Sequence, residues 1–360
     1  AVTDHKDWDG GDFVGWDTSA ATDSPEQLIR DWFDTLADLT VAASDRGTPR
    51  QDPVTGSTEL EVYHTEDGLD LKQLIQKFLL GAVTFSQGTD DYLDDDVPGK
   101  GIMTDNTEAD GDGADPFTVM EHQFDEGFGY FGAARDYLAY TDEEIAGKGG
   151  RDGWSEGFHD TDGDGDIDLN AEFNFGNSQN AAKRDLGSET GTDFTQQAMD
   201  AFLTARTIIA EAGGELSDDE MEALKEQRDL AVDGWGKAVS ATVVHYINDT
   251  VSDMDDWSDD QANGTDNYSY IDHTKHFGEM KGFALGLQFN PRSPLNENDG
   301  QPFQQLHNLL RERPALPPEG QAATDGATQA DFEQYRQDLL QARSLLQDAY
   351  GFEDADVENW

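Results

Sequence analysis

Apolar residues recur every three or four positions along most of this chain, and that period predicts helices. Ser24 followed by Pro25 reads as an N-cap with proline at the first helical position. Leu28, Ile29, Trp32, Leu36 and Leu39 then share one face as far as about Ser44. In the stretch LDLKQLIQKFLLGAVTFSQGTDDYL, residues 69–93, apolar side chains surround most of the circumference, the mark of a central helix. The same period predicts helices from Phe117 to about Tyr140, Phe194 to Ala212, Ser217 to about Val251, Tyr270 to Phe289 and Phe332 to Tyr350. Prolines 291, 294, 314, 317 and 318 punctuate the interval before the last of these.

Between them the pattern lapses. Residues 45–68 form a connector that could hold a short strand at Leu60 to Tyr63, and residues 94–115 form an acidic loop. Residues 141–192 carry little periodicity and read as a long ordered excursion, of the kind that is usually functional or anchored by an ion. The expected fold class is all-α: a single helical-bundle domain over residues 1–360, or two packed bundle halves, with long ordered acidic loops.

Charge changes the picture. The chain has 77 Asp and Glu against 23 Lys and Arg, a formal net charge of -54. No basic footprint is available for nucleic acid. Yet 36% hydrophobic residues, with 7 Trp, 10 Tyr and 19 Phe, can bury a sizeable core, so the chain should fold. Asp outnumbers Glu, Lys is scarce and the acid is spread over the whole length, a pattern that resembles proteins of extreme halophiles. At roughly 1 M salt the Debye length is about 3 Å, and self-repulsion of this size is largely screened. Acidity alone therefore assigns no function to any residue. With no cysteine, disulfides and thiolate sites are excluded. No apolar run approaches the roughly 20 residues of a membrane span, so no membrane insertion is expected. The first residue is Ala1, which leaves room for a leader removed by processing, and sequons at Asn248, Asn263 and Asn267 fit an exported surface.

The segment DTDGDGDIDLNAE, residues 160–172, departs from mere acidity. Counted from Asp160, it places Asp162, Asp164, Gly165, Asp166, Ile167 and Asp168 at positions 3, 5, 6, 7, 8 and 9 of an EF-hand-type loop. Background acid does not explain Gly163 and Gly165 together with Ile167 in register. Position 12 is Ala171, and the carboxylate comes one place late at Glu172. The expectation is a calcium loop using Asp160, Asp162, Asp164, Asp166, Asp168 and Glu172, which staples the 141–192 excursion.

Two further clusters carry metal-ligating side chains. His122 and Glu126, four apart, share a helix face, as do Glu121 and Asp125; His273, His276 and Glu279, three apart, form another. Imidazole and carboxylate on facing helices are how bundle cores build transition-metal sites, although a histidine on an apolar helix is more often a hydrogen-bonded core residue. His245 joins them because VSATVVHYIN sets it on an otherwise apolar helix. His122 or Glu126 is expected within reach of His245, His276 or Glu279, in a polar site or a site for iron or zinc. There is no His-Glu-x-x-His helix, Gly-x-Ser-x-Gly elbow or phosphate loop, and no residue is assigned as catalytic.

GKGIMTDNT leading into MEHQFDEGFGYFG, then NAAKRD, WGKAVSATVVHYIN and HFGEMKGFALGLQFNP, resembles the imelysin-like bacterial envelope proteins of domain-of-unknown-function family 4856, in order from about residue 70 to 291. The resemblance implies an imelysin-like helical bundle and an exported, often lipid-anchored protein associated with iron or nutrient uptake. Of the imelysin Gly-x-His-x-x-Glu motif, His276 and Glu279 match the His-x-x-Glu part, with Thr274 in the Gly position.

These readings converge on a secreted or cell-surface, calcium-stabilised binding protein of a halophile, taking a small ligand or metal in metal or nutrient uptake, with lipid anchoring through a removed N-terminal segment as a further expectation. Two alternatives stay open. One is a structural surface or filament subunit that associates with itself or another surface protein. The other is an imelysin-type metallohydrolase with His276 and Glu279 as ligands and Glu126 as general base.

Overall fold

The computed structural model describes residues 5–8, 10–113 and 115–360. Thirteen α-helices run along the described residues: α1 Pro25–Arg46, α2 Leu71–Leu79, α3 Asp110–Gly113, α4 Val119–Phe131, α5 Asp142–Ile145, α6 Gly176–Leu186, α7 Phe194–Ala212, α8 Asp218–Asn263, α9 Tyr270–Gly286, α10 Glu297–Leu310, α11 Gly320–Thr324, α12 Gln329–Tyr350 and α13 Asp354–Asn359. The two strands, β1 Arg50–Gln51 and β2 Glu59–Leu60, pair antiparallel with Arg50 opposite Leu60. The fold class is all-α, as the period predicts.

Local chemistry fixes the helix ends. The Ser24 hydroxyl accepts from the Gln27 amide, and the pairs Thr118/Glu121 and Ser217/Glu220 close reciprocal capping boxes at α4 and α8. The 46-residue α8 spans about 69 Å at 1.5 Å per residue and forms the spine. It packs between α7 and α9, while α2 lies against α9 and α12 crosses α8 and α10. At the centre Trp235 of α8 meets Phe85 and Phe131 at ring separations of 5.1 and 5.4 Å, and Phe131 meets Phe202 of α7 at 5.6 Å. Such pairs contribute about 0.5–1.5 kcal/mol each beyond their buried area.

Several expected elements differ. The single helix over residues 69–93 is α-helical only to Leu79; Leu80–Phe85 and Gln87–Tyr92 wind as π-helix. A wider turn sends positions seven apart, which an α-helix would stack on one face, in different directions. Gly81 thus faces Gly286 of α9, while Gly88 lies under Trp235 of α8. The helix expected from Phe117 to Tyr140 stops at Phe131, because Gly132 takes the left-handed conformation (φ 86°) and packs on Phe175. Within the 141–192 excursion, α5 and α6 were not foreseen; α6 is too polar to carry an apolar period. α10 follows the prolines at 291 and 294, with Pro302 near its start.

Candidate functional site

The 160–172 loop folds by binding its own backbone. Asp160 accepts from the Gly163 amide at 2.6 Å and the Gly165 amide at 2.9 Å, both glycines having positive φ. Asp162 accepts from the Asp164 amide, Asp164 from the Asp166 amide and Asp168 from the Asn170 amide, at 3.1, 2.9 and 2.9 Å. Asp160, Asp162 and Asp164 each bring an oxygen within 4.8 Å of the others, the convergence an ion needs. Glu172 does something else. It is 4% exposed and accepts from the Thr161 amide and hydroxyl at 2.7 and 2.5 Å and from the Asp168 amide at 3.0 Å. Those bonds, the Thr161 hydroxyl first, hold its carboxyl down at about 2. Glu172 thus clasps the base of the loop, and Asp166 and Asp168 stand outside the three-carboxylate group. Phe158 bridges Phe173, and the Asn174 side chain joins Gly157 to Ala134, tying the loop to the end of α4.

The five His and Glu residues expected in one shared site fall into two groups. On α4, His122 reaches Asp110 at 2.5 Å and Glu126 at 3.3 Å. Its neighbours Glu121 and Asp125 bind Arg206 of α7 at 2.7 and 2.8 Å. His245, His276 and Glu279 lie instead on α8 and α9. Among the described residues no hydrogen bond or ion pair joins His122 or Glu126 to that second group, which corrects the expected shared site. The reason is packing: α4 lies against α7 and the π-helical stretch, and α9 against α2 and α8.

The α8–α9 seam is a polar network in its own right. His276 Nδ1 is 2.8 Å from Asp253, and His245 Nε2 is 3.3 Å from Asp249, whose carboxylate also lies 3.8 Å from His276 Nε2. Burial opposes the charge on His276, but Asp253 and Asp249 hold its pKa above the ordinary value. Burial pushes His245 down to about 3, helped by Arg184 and His276, so it is neutral. Tyr246 donates to Glu279 Oε1 at 3.1 Å, Lys77 approaches the same oxygen at 3.3 Å and Lys275 the other at 3.7 Å. His276 and Glu279 therefore face different partners and do not converge as a ligand pair.

Sequence reasoning overlooked Asp249 and Asp253. The available signal was His245, Asp249 and Asp253 at successive four-residue spacing on one helix face. It also overlooked His5, Asp90 and Asp94, a second group whose ligand atoms converge within 4.8 Å. His5 Nε2 lies 2.8 Å from Asp94, and Arg292 holds the other Asp94 oxygen at 2.6 Å. Of the sequons, Asn248 is half-buried in α8 with its amide donated to the Val357 and Trp360 carbonyls.

Residues 15–146 match the model of a family described as Domain of unknown function (DUF4856). The DUF4856 match contains GKGIMTDNT and the His122 block, and it ends before the 160–172 loop and the α8–α9 seam. No curated protein and no solved structure matches the chain.

Proposed function

We propose that this chain is a calcium-ordered helical binding protein that works outside the cell in strong salt, taking up a small ligand or metal at the α8–α9 seam. The observation that carries the reading is the self-folded loop at 160–168, whose three gathered carboxylates suit a hard cation with oxygen ligands. Its attachment to α4 through Asn174 and to the Phe158–Phe173 bridge means that an ion there would order the whole excursion. The imelysin-like bundle and the lipid anchor belong to the same reading and rest on the sequence resemblance.

Limited proteolysis at constant high salt tests it. Chelation of the wild type, and the double change Asp162→Ala plus Asp164→Ala, should each open residues 141–192 to protease, and added calcium should restore only the wild type. Equal resistance with and without chelator removes the ordering role. The hydrolase alternative is weakened by the α8–α9 geometry, since Glu279 is engaged by Tyr246, Lys77 and Lys275.

A further inference from the structure

Carboxylates outnumber Lys and Arg by 77 to 23, and most buried or half-buried arginines are paired accordingly. Arg206 binds Glu121 and Asp125, Arg228 binds Asp95, Arg292 binds Asp94 and Asp95, and Arg336 binds Asp255. Half-buried Arg343 has no carboxylate among the described residues but donates to the Asn248 side-chain oxygen at 2.8 Å; Arg184, near the end of α6, has neither. Its side chain belongs to a residue only 6% exposed, its Nε has no hydrogen-bond acceptor, and no carboxylate lies within 4.0 Å of its guanidinium among the described residues. The adjacent carboxylate of Asp185 is committed elsewhere, accepting from the Phe194 and Thr195 amides at 2.7 and 2.9 Å at the start of α7.

A second cation adjoins it on the same helix. Half-buried Lys183 has no ion pair of its own among the described residues; burial lowers its pKa, Arg184, Lys148 and Lys77 add to the fall and Glu279 opposes it. α6 packs against α8, and burial lowers the Arg184 pKa while Tyr246 and Asp249 of α8 oppose the fall. A buried guanidinium without a carboxylate is costly unless something completes it. The last turn of α6 favours cations through its exposed carbonyls, which accounts for a basic residue there but not for its burial without an acceptor.

We propose that Lys183 and Arg184 bind a small oxyanion, a phosphate or carboxylate group, where α6 meets α8. The planar guanidinium matches two oxygens of either group at once, and Lys183 adds a second charge. At long range the net charge of -54 repels such a ligand. In roughly molar salt, with a Debye length of about 3 Å, only this local positive field remains relevant. The assignment goes beyond the α8–α9 reading: it adds a separate site that rests on α6 and α8, not on the calcium loop.

Equilibrium dialysis of the full chain in molar potassium chloride, with radiolabelled inorganic phosphate in one arm and succinate in the other, tests the site. One anion per chain is expected, with affinity reduced at least ten-fold by Arg184→Gln and by Lys183→Gln, while the chain carrying Asp162→Ala and Asp164→Ala binds like wild type. Tighter binding of phosphate assigns phosphate-bearing ligands, and tighter binding of succinate assigns carboxylates. Circular-dichroism melting establishes that each variant is folded; if Arg184→Gln is not, half-buried Lys183→Gln decides. No saturable binding of either anion by folded wild type, or full affinity in folded Lys183→Gln, overturns the site. Binding in a chain whose protease resistance ignores chelator would remove the calcium reading alone.

Discussion

Lys281 is 0% exposed, and its ammonium nitrogen lies 2.9 Å from His307 Nδ1 and 5.8 Å from the Trp16 ring. Burial pulls its pKa from the ordinary 10.5 to about 7. Above that value the folded chain has released a proton that the unfolded chain still holds, so stability should rise with pH from about 7 toward 10.5. Lys281→Met is expected to flatten that rise and to stabilise the protein at pH 6 by a few kcal/mol, measured by chemical denaturation at several pH values. Glu172 has the opposite sign. Its carboxyl is held at about 2 against an ordinary 4.5, so what it contributes is present above 4.5 and lost as pH falls toward 2. Glu172→Gln should make residues 157–175 exchange amide hydrogens faster at pH 7 and should remove the acid-dependent part of that exchange.

At the scale of elements, α9 approaches α2 and the π-helical stretch after it until glycine meets glycine. A Cβ added at Gly81 would stand 2.4 Å from the Gly286 Cα, and one at Gly282 would stand 2.6 Å from the Lys77 Cβ. Gly81→Ala should therefore cost about 1–3 kcal/mol in urea denaturation. Gly129, inside α4 with nothing within 4 Å of an added Cβ, should gain about 0.5–1 kcal/mol on becoming Ala. The helix pattern was legible wherever one face alternates with another over several turns, as in α1, α7, α9 and α12. It failed at residues 80–92, where contacts with Gly286 and Trp235 override local period, and at α6, whose buried face includes Asn177, Ser178, Arg184 and Asp185. The gathering of Asp160, Asp162 and Asp164 was legible because the three sit within a few residues of one another. Other pairings, such as His276 with Asp253 and His5 with Asp94, join separate elements, and no local spacing announces them.

The whole molecule carries its -54 charges on a fold with a continuous aromatic and aliphatic core. As ionic strength drops from molar to roughly 0.1 M the Debye length grows to about 10 Å and self-repulsion returns. The thermal unfolding midpoint should fall over that range, and calcium should recover part of the loss by binding the folded state. A midpoint indifferent to salt would remove the halophile reading. The path of the chain has a temporal consequence as well. Lys6 and Val14 hydrogen-bond to Gln288, Gly15 lies against the ring of His307, and the Asp17 amide donates to Glu312. A ribosome adding about 5–20 residues per second makes the first of these partners roughly a quarter of a minute to a minute before the second. For that interval Trp16 has no Lys281 to cover, and whatever handles the nascent chain must keep this aromatic side chain from settling elsewhere.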